Sequence, residues 1–215
     1  MNDHLQSVRL HVVNHPLVQH KLTLLRDRTT STRSFRALTA EIGALLAYEL
    51  MRNAPVKETT VETPLGPARG VVLEGKKIVL VSVLRAGSGM LDGMLTVLPS
   101  ARVGHIGLYR DRRLLTAVEY FCKLPAGMES RDAIIVGSVL ATGGTAAAAV
   151  RRVLEAKARS VRYVCLVACP EGVQALLAEH PGVHVYTASV DESLTPEGYV
   201  YPGLGDVGDR LFGTS

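Results

Sequence analysis

One loop of this sequence has the residue types needed to hold a phosphate group. It lies between an apolar run and an alanine-rich segment, and it consists of Ala141, Thr142, Gly143, Gly144 and Thr145. Adjacent glycines let backbone N–H groups turn toward an anion with no Cβ in the way, and a helix that begins there adds partial positive charge. No lysine follows the glycines, so the loop is not a P-loop. We interpret it as a phosphate site, with a ligand-free tight turn as the alternative.

Two arginines follow other apolar runs. Arg85 comes directly after one run and precedes Gly87 and Gly89, and Arg110 closes the next. At the position of Arg85, a guanidinium group can grip a phosphate through its fork of N–H donors. For Arg85, a surface arginine beside a turn is the alternative. The stretch from 109 to 125 suits either a mobile lid over a site or a surface hairpin.

The segment 202–210 is too rich in glycine for a regular element. Its exposed backbone amides and carbonyls could recognise the edge of a flat heterocycle, and Asp206 is placed to contact a cation, a base or a sugar. The alternative is a capped turn in which Asp209 and Arg210 pair for structural reasons.

The elements that must position these residues follow from the apolar pattern. Short runs that are apolar on both faces predict buried parallel strands, and the segments between them look helical, which favours an α/β sheet with helices on both faces. Ligands of such sheets bind at the carboxyl ends of the strands. The predicted strands cover 78–84, 103–109, 133–136, 161–168 and 183–190. Before them we predict a helix over 35–50, capped by Ser31 or Thr32, and a hairpin or arm over about 55–75.

Composition narrows the class of protein. The chain has 215 residues, 47% of them hydrophobic, and a net charge of +4, which is too mild to favour nucleic-acid binding. No apolar run is long enough for a membrane span, and the first residues lack the order of a signal peptide. The three cysteines have no metal-ligand spacing, so we expect no protein metal site and predict reduced thiols in the cytoplasm, with Cys165 and Cys169 buried and inert.

Several segments together resemble the uracil phosphoribosyltransferase family over nearly the whole chain, as a single domain 1–215. They are 15–27, 84–87, 103–111, 122–125, 170–173, 202–206 and 212–214. The resemblance implies a type I phosphoribosyltransferase fold with a parallel-sheet core, a small hood and a β-arm, and a homodimer. It also implies transfer of phosphoribosyl from phosphoribosyl pyrophosphate (PRPP) to uracil, giving UMP and pyrophosphate, with Mg²⁺ carried by the donor.

The same resemblance implies roles for individual residues. Arg85 and Arg110 hold pyrophosphate, and Asp206 and Arg110 are the expected catalytic residues. Asp206 would lie near both the donor and the base. The 5′-phosphate site consists of Ala141, Thr142, Gly143, Gly144 and Thr145, and the base site of Val200, Gly205, Asp206 and Val207.

Five residues, at three places, depart from the family pattern. Gly137, Ser138 and Val139 stand where the family has Asp-Pro-Met, Val207 replaces an alanine, and Ser88 replaces a leucine. The missing aspartate is the carboxylate that accepts hydrogen bonds from the ribose hydroxyls, so donor binding is expected to be weaker. Two alternatives follow: a repurposed paralogue that acts on another base or sugar phosphate, for example in secondary metabolism, and a non-catalytic nucleotide or RNA binder.

Overall fold

The computed structural model describes residues 9–110 and 117–214, with the backbone but not the side chain of Arg110. Its longer helices are α1 (Pro16–Arg26), α2 (Thr32–Leu50), α3 (Ser88–Val97), α4 (Gly144–Glu155) and α5 (Pro170–Glu179), and the short α6 (Val207–Phe212) is close to the C-terminus. The strands are β1 (Leu10–Val12), β2 (Val56–Thr63), β3 (Gly66–Leu73), β4 (Val79–Leu84), β5 (Arg102–Arg110), β6 (Ala117–Lys123), β7 (Asp132–Val136), β8 (Val139–Leu140), β9 (Ser160–Ala168), β10 (His184–Val190), β11 (Ser193–Leu194) and β12 (Val200–Tyr201).

The central sheet has the strand order β1-β10-β9-β7-β4-β5-β6, with β8 beside β9. Its strands are parallel except for β6, which runs antiparallel to β5. The predicted parallel sheet is therefore confirmed, and each of the five predicted strands is present. Because parallel strands end at the same edge, the segments that follow β4, β7 and β10 are brought together.

Helices cover both faces of the sheet, as predicted. Along β4, Leu80 packs with α1, α2 and α3, whereas Val79 and Val81 pack with α4 and α5 on the opposite face. Successive side chains of a strand point to opposite faces, so a strand between two helical layers must be apolar throughout. This is the physical reason why the apolar runs predicted these strands.

The N-terminal half agrees with the sequence in its main elements. Ser31 caps α2, since its hydroxyl accepts a hydrogen bond from the Ser34 amide at 3.2 Å. The predicted arm is a two-stranded hairpin of β2 and β3, paired from Val56 and Leu73 to Thr63 and Gly66. The residues after β10, which include β11, β12 and α6, form one wall of the site described below.

Several elements were missed. The expectation that 202–210 forms no regular element is wrong for residues 207–210, which lie in α6, and the two-residue strands β8, β11 and β12 were not predicted. β1 is only three residues long, too short to show a periodic pattern. The expected loop over 109–125 is wrong for residues 117–123, which form β6. β6 pairs on one side only and leaves most of its side chains exposed, so it lacks the apolar run of a central strand. The hairpin alternative fits this pairing, and the connection 111–116 lies outside the described residues.

No helix in the described ranges is both long and apolar enough to cross a bilayer. Cys165 and Cys169 are buried, as predicted, and burial raises the pKa of the Cys165 thiol to about 12. Burial raises the pKa of the Cys169 thiol as well, so both thiols stay protonated and poorly reactive.

Candidate active site

A cavity of about 300 Å³ opens at the carboxyl edge of the sheet. Chain segments that are far apart in sequence form its walls: the end of β4, the stretch around β8, and the residues on either side of β12 and at the start of α6. The predicted site residues on its walls are Arg85, Ala141, Val200, Gly205, Asp206 and Val207. The structure thus brings donor-site and base-site candidates onto one cavity.

The predicted phosphate loop continues from this wall. Ala141 lines the cavity, and residues 142–145 follow it into the first turn of α4 without lining the cavity themselves. Gly143 has φ +84°, and a Cβ on it would lie 2.8 Å from the Cβ of Ala175. A Cβ on Gly144, in contrast, would meet no atom within 4 Å. Gly143 is therefore required by the turn and its packing, whereas Gly144 faces open space that an anion could use.

Arg85 stands at the end of β4 with its side chain 56% exposed. Its guanidinium lies 3.5 Å from Asp209 Oδ1 and 5.8 Å from the centre of the Phe212 ring, so it leans toward α6. A long, exposed ion pair of this kind contributes little to stability, about 0–1 kcal/mol. Arg85 can therefore exchange this pairing for an incoming phosphate at small cost.

Asp206 combines a structural role with a place on the cavity wall. Its Oδ1 accepts a hydrogen bond from the Asp209 amide at 2.9 Å and caps α6. The residue is exposed, and Oδ2 is not used in the cap. The capped-turn interpretation is thus correct, but it leaves one carboxylate oxygen for a ligand.

The expected pairing of Asp209 with Arg210 is wrong. Asp209 accepts a hydrogen bond from the Thr214 hydroxyl at 2.6 Å and faces Arg85, whereas Arg210 donates to the carbonyl oxygens of Leu204 and Asp27. Arg210 also stacks on the Phe35 ring at 4.2 Å. Neighbours in a helix point in different directions, so these two side chains serve different contacts.

Val200, Gly205 and Val207 form the predicted base wall. The two valines are almost fully buried, and Gly205 is exposed with φ +69°. The result is an apolar surface beside exposed backbone, which suits a flat ring with polar edges. Arg110 ends β5 two strands away from β7, but its side chain lies outside the described part. Its predicted role stays a prediction.

A buried polar cluster that the sequence analysis missed holds the loop of the base wall. Arg26 donates to both oxygens of Asp191, at 2.6 and 2.7 Å, and to the Gly203 carbonyl at 2.8 Å. Asp191 also accepts hydrogen bonds from the Gly203 amide and from Ser189. Burial by itself raises the pKa of Asp191, but the hydrogen bonds from Arg26, Ser189 and Gly203 outweigh it and leave this pKa below its ordinary value. No local pattern signals a pair so far apart in sequence.

Among the residues that the structure describes, no group of three or more His, Cys, Asp or Glu side chains is arranged to hold a metal ion. Asp206 is the carboxylate on the cavity wall, and its Oδ2 takes no part in the helix cap. This oxygen suits a cation that a phosphate ligand brings with it.

Comparison with known sequences agrees with this geometry. The pattern of the family described as uracil phosphoribosyltransferase matches residues 12–214. The chain is 58% identical to the uracil phosphoribosyltransferase of Variovorax paradoxus (strain S110) and 56% identical to that of Rhodococcus jostii (strain RHA1), each over 95% of this chain and 98% of the relative.

Solved structures agree as well. The AQ2163 protein from Aquifex aeolicus superposes with a TM-score of 0.91 at 36% identity, over 96% of this chain and 99% of that protein. The adenine phosphoribosyl transferase from Trypanosoma brucei has a TM-score of 0.57 at 11% identity, over 85% of this chain and 84% of that protein, and supports the type I phosphoribosyltransferase fold. On the matched pattern and these relatives, the chain belongs to the uracil phosphoribosyltransferase family.

Proposed function

We propose that this chain transfers the phosphoribosyl group of PRPP to N1 of uracil, giving UMP and pyrophosphate. The observation that carries the proposal is that Arg85, Ala141 and Asp206 line one cavity. Relatives that are 54–58% identical over nearly the full chain and carry the name uracil phosphoribosyltransferase support the same reaction. They give no support to a repurposed paralogue or to an RNA binder.

Most of the catalysis proposed here is positioning and charge stabilisation. The C–O bond to pyrophosphate breaks and the bond between uracil N1 and the ribose carbon forms, while N1 gives up its proton and pyrophosphate leaves with the electron pair. Arg85, together with Arg110, would neutralise the charge that grows on pyrophosphate. The N–H groups of 142–145 would hold the 5′-phosphate, which fixes the sugar at a set distance from the base.

The base would bind against Val200 and Val207, with its polar edge toward Gly205 and Asp206. Arg26 and Asp191 do not line the cavity, but they fix the loop that supplies this edge. We therefore assign them as positioning residues for the base.

Mg²⁺ enters this proposal with the donor. The ion would neutralise phosphate charge and fix the geometry of PRPP, since Mg²⁺ in such sites is held mainly by substrate phosphates and one or two carboxylates. Asp206 is the residue that we assign to contact it.

The β2–β3 arm supports a homodimer as part of the proposal. Its exposed apolar side chains are Val56, Val61, Leu65, Val71, Val72 and Leu73, with Leu65 fully exposed at the turn. Such a patch on an isolated hairpin marks a protein–protein contact. A cytoplasmic location also belongs here, because unpaired buried thiols suit a reducing compartment.

The direct test is an assay of UMP formation from uracil and PRPP with Mg²⁺, with cytosine and hypoxanthine as competing acceptors. We expect uracil to be the preferred acceptor. A rate at the uncatalysed background for uracil would refute the proposal.

A further inference from the structure

The backbone at Gly137, at the end of β7, is in close contact with a tyrosine from the neighbouring strand. A Cβ built on Gly137 would lie 2.0 Å from Tyr163 Oη and 2.6 Å from its Cζ. Carbon atoms that are not bonded to their neighbours pack at about 3.5–4.0 Å. No side chain can therefore stand at position 137 while Tyr163 keeps this place.

The strand register explains how Tyr163 reaches this point. Tyr163 pairs with Ile135 of β7, and Gly137 lies two residues further along the same strand direction. Residues two apart share a face, so the long tyrosine side chain leans along β7 and ends beneath Gly137. The Gly137 amide donates to the Val164 carbonyl at 2.9 Å and keeps this strand end paired with β9.

Tyr163 is held firmly in this position. It is 3% exposed and packs in the apolar cluster between the sheet and helices α4 and α5. Burial raises the pKa of its hydroxyl well above the ordinary value for tyrosine. The group beneath Gly137 is therefore an uncharged phenol, which donates one hydrogen bond and accepts others.

The Tyr163 hydroxyl lies next to the wall of the candidate site. Ser138 and Val139, the two residues after Gly137, line the cavity that holds Arg85 and Asp206. Tyr163 Oη lies against Gly137, the residue just before this wall, although neither Gly137 nor Tyr163 lines the cavity itself. In the proposed reaction, the ribose lies between these two phosphate sites.

We propose that Tyr163 is the sugar-binding group of this site and supplies a neutral hydroxyl to the ribose of PRPP. Gly137 has no side chain to cover this hydroxyl, and the tyrosine in turn leaves no room for a carboxylate at position 137. The inference deepens the proposed function and rests on it. Gly137 and Tyr163 then form one unit: the glycine leaves the space that the hydroxyl fills.

The first test is Tyr163→Phe, which keeps the ring and removes only Oη. We expect the Kd and KM for PRPP to rise about five- to tenfold, as for the loss of one hydrogen bond, with the KM for uracil unchanged. Inorganic pyrophosphate has no sugar, so its Kd should stay the same. Tyr186→Phe, on β10 and stacked on His11 at 4.5 Å, is the matched control. The role of Tyr163 in ribose binding is overturned if Tyr163→Phe leaves the Kd for PRPP unchanged. It is also overturned if the affinities for PRPP and for pyrophosphate fall equally.

The second test addresses the steric unit and does not need activity. We expect Gly137→Asp to lower the Tm clearly, and Gly137→Asp combined with Tyr163→Val to regain most of the loss. Two results would contradict the claim that Tyr163 excludes a side chain at position 137. One is a Gly137→Asp protein with the Tm of the wild type, and the other is a double variant whose Tm is no higher than that of Gly137→Asp.

These readouts separate the inference from the proposed reaction. A wild-type protein that binds PRPP but forms no UMP refutes the reaction, and the Kd comparison still decides the role of Tyr163. A wild-type protein that binds neither PRPP nor pyrophosphate refutes both.

Discussion

Arg26 and Asp191 form a bidentate ion pair, with N–O distances of 2.7 and 2.6 Å, and both also hold the backbone of Gly203. The pair ties α1 to the end of β10 and to the loop of the base wall. The Asp191 side chain is 2% exposed and that of Arg26 is 26% exposed, so the pair is shielded from solvent on the carboxylate side. In the proposed reaction, this pair fixes the loop against which the base would bind.

Asp191→Asn should damage both stability and base binding. An asparagine leaves the Arg26 charge without its partner, and loss of one member of a buried pair costs about 3–5 kcal/mol. The partial exposure of Arg26 places the expected loss at the lower end, about 3 kcal/mol. We also expect the KM for uracil to rise more than the KM for PRPP. Denaturant unfolding and steady-state kinetics measure the two effects.

The matched control is Glu41→Gln, which removes an exposed ion pair with Lys21 between α1 and α2. Its expected cost is about 0–1 kcal/mol. Equal losses in the two variants would contradict the special role of the buried pair.

The Asp191 carboxylate predicts how this difference depends on pH. The pKa of this carboxyl in the folded protein lies below the ordinary value of 3.8. Its contribution to the free energy of unfolding is therefore present above pH 3.8 and is lost as the pH falls through the pKa of the folded protein. The stability gap between wild type and Asp191→Asn should be constant at neutral pH and narrow below about pH 4. Unfolding free energies measured from neutral to acid pH check this. A gap that does not change with acidification would contradict the assignment.

Gly143 and Gly144 should differ sharply on substitution by alanine. Gly143→Ala forces a left-handed backbone onto a residue with a side chain, at a cost of about 1–2 kcal/mol, and brings its Cβ to 2.8 Å from Ala175. Gly144→Ala meets open space in the free protein, so stability should hold while the KM for PRPP rises. Thermal unfolding with and without PRPP separates the loss of stability in Gly143→Ala from the loss of PRPP binding in Gly144→Ala. A Gly144→Ala protein with normal PRPP affinity would argue against an anion at this turn.

Arg85→Gln should weaken donor binding with little effect on the fold. The arginine gives up only long, exposed contacts to Asp209, Thr214 and the Phe212 ring. Loss of a charged hydrogen bond to phosphate costs about 1.5–3 kcal/mol, or tenfold or more in affinity. Isothermal titration with PRPP and with pyrophosphate measures the change. Arg52→Gln, which removes an exposed arginine paired with Glu49, serves as the control. Similar PRPP affinity in both variants would remove Arg85 from the site.

Leu65→Glu tests the apolar arm. Leu65 is fully exposed at the hairpin turn, where a charge costs nothing in an isolated chain but is unfavourable inside an interface. We expect the wild type to be a dimer and Leu65→Glu to dissociate more readily, as measured by analytical ultracentrifugation over a range of concentrations. Identical mass distributions for the two proteins would show that the arm tip does not contribute to assembly.

Local patterns in the sequence were enough to predict the layers and the strand-end loops of this protein. Strands buried on both faces must be apolar along their whole length, so the run before Arg85 predicted a strand. The adjacent glycines Gly143 and Gly144 predicted a tight turn with room for an anion. Which distant residues meet could be read only from the folded chain. The Arg26–Asp191 pair, the contact of Tyr163 with Gly137 and the exposed edge strand β6 arise from strand order and register. These depend on contacts between residues far apart along the chain, which no local spacing records.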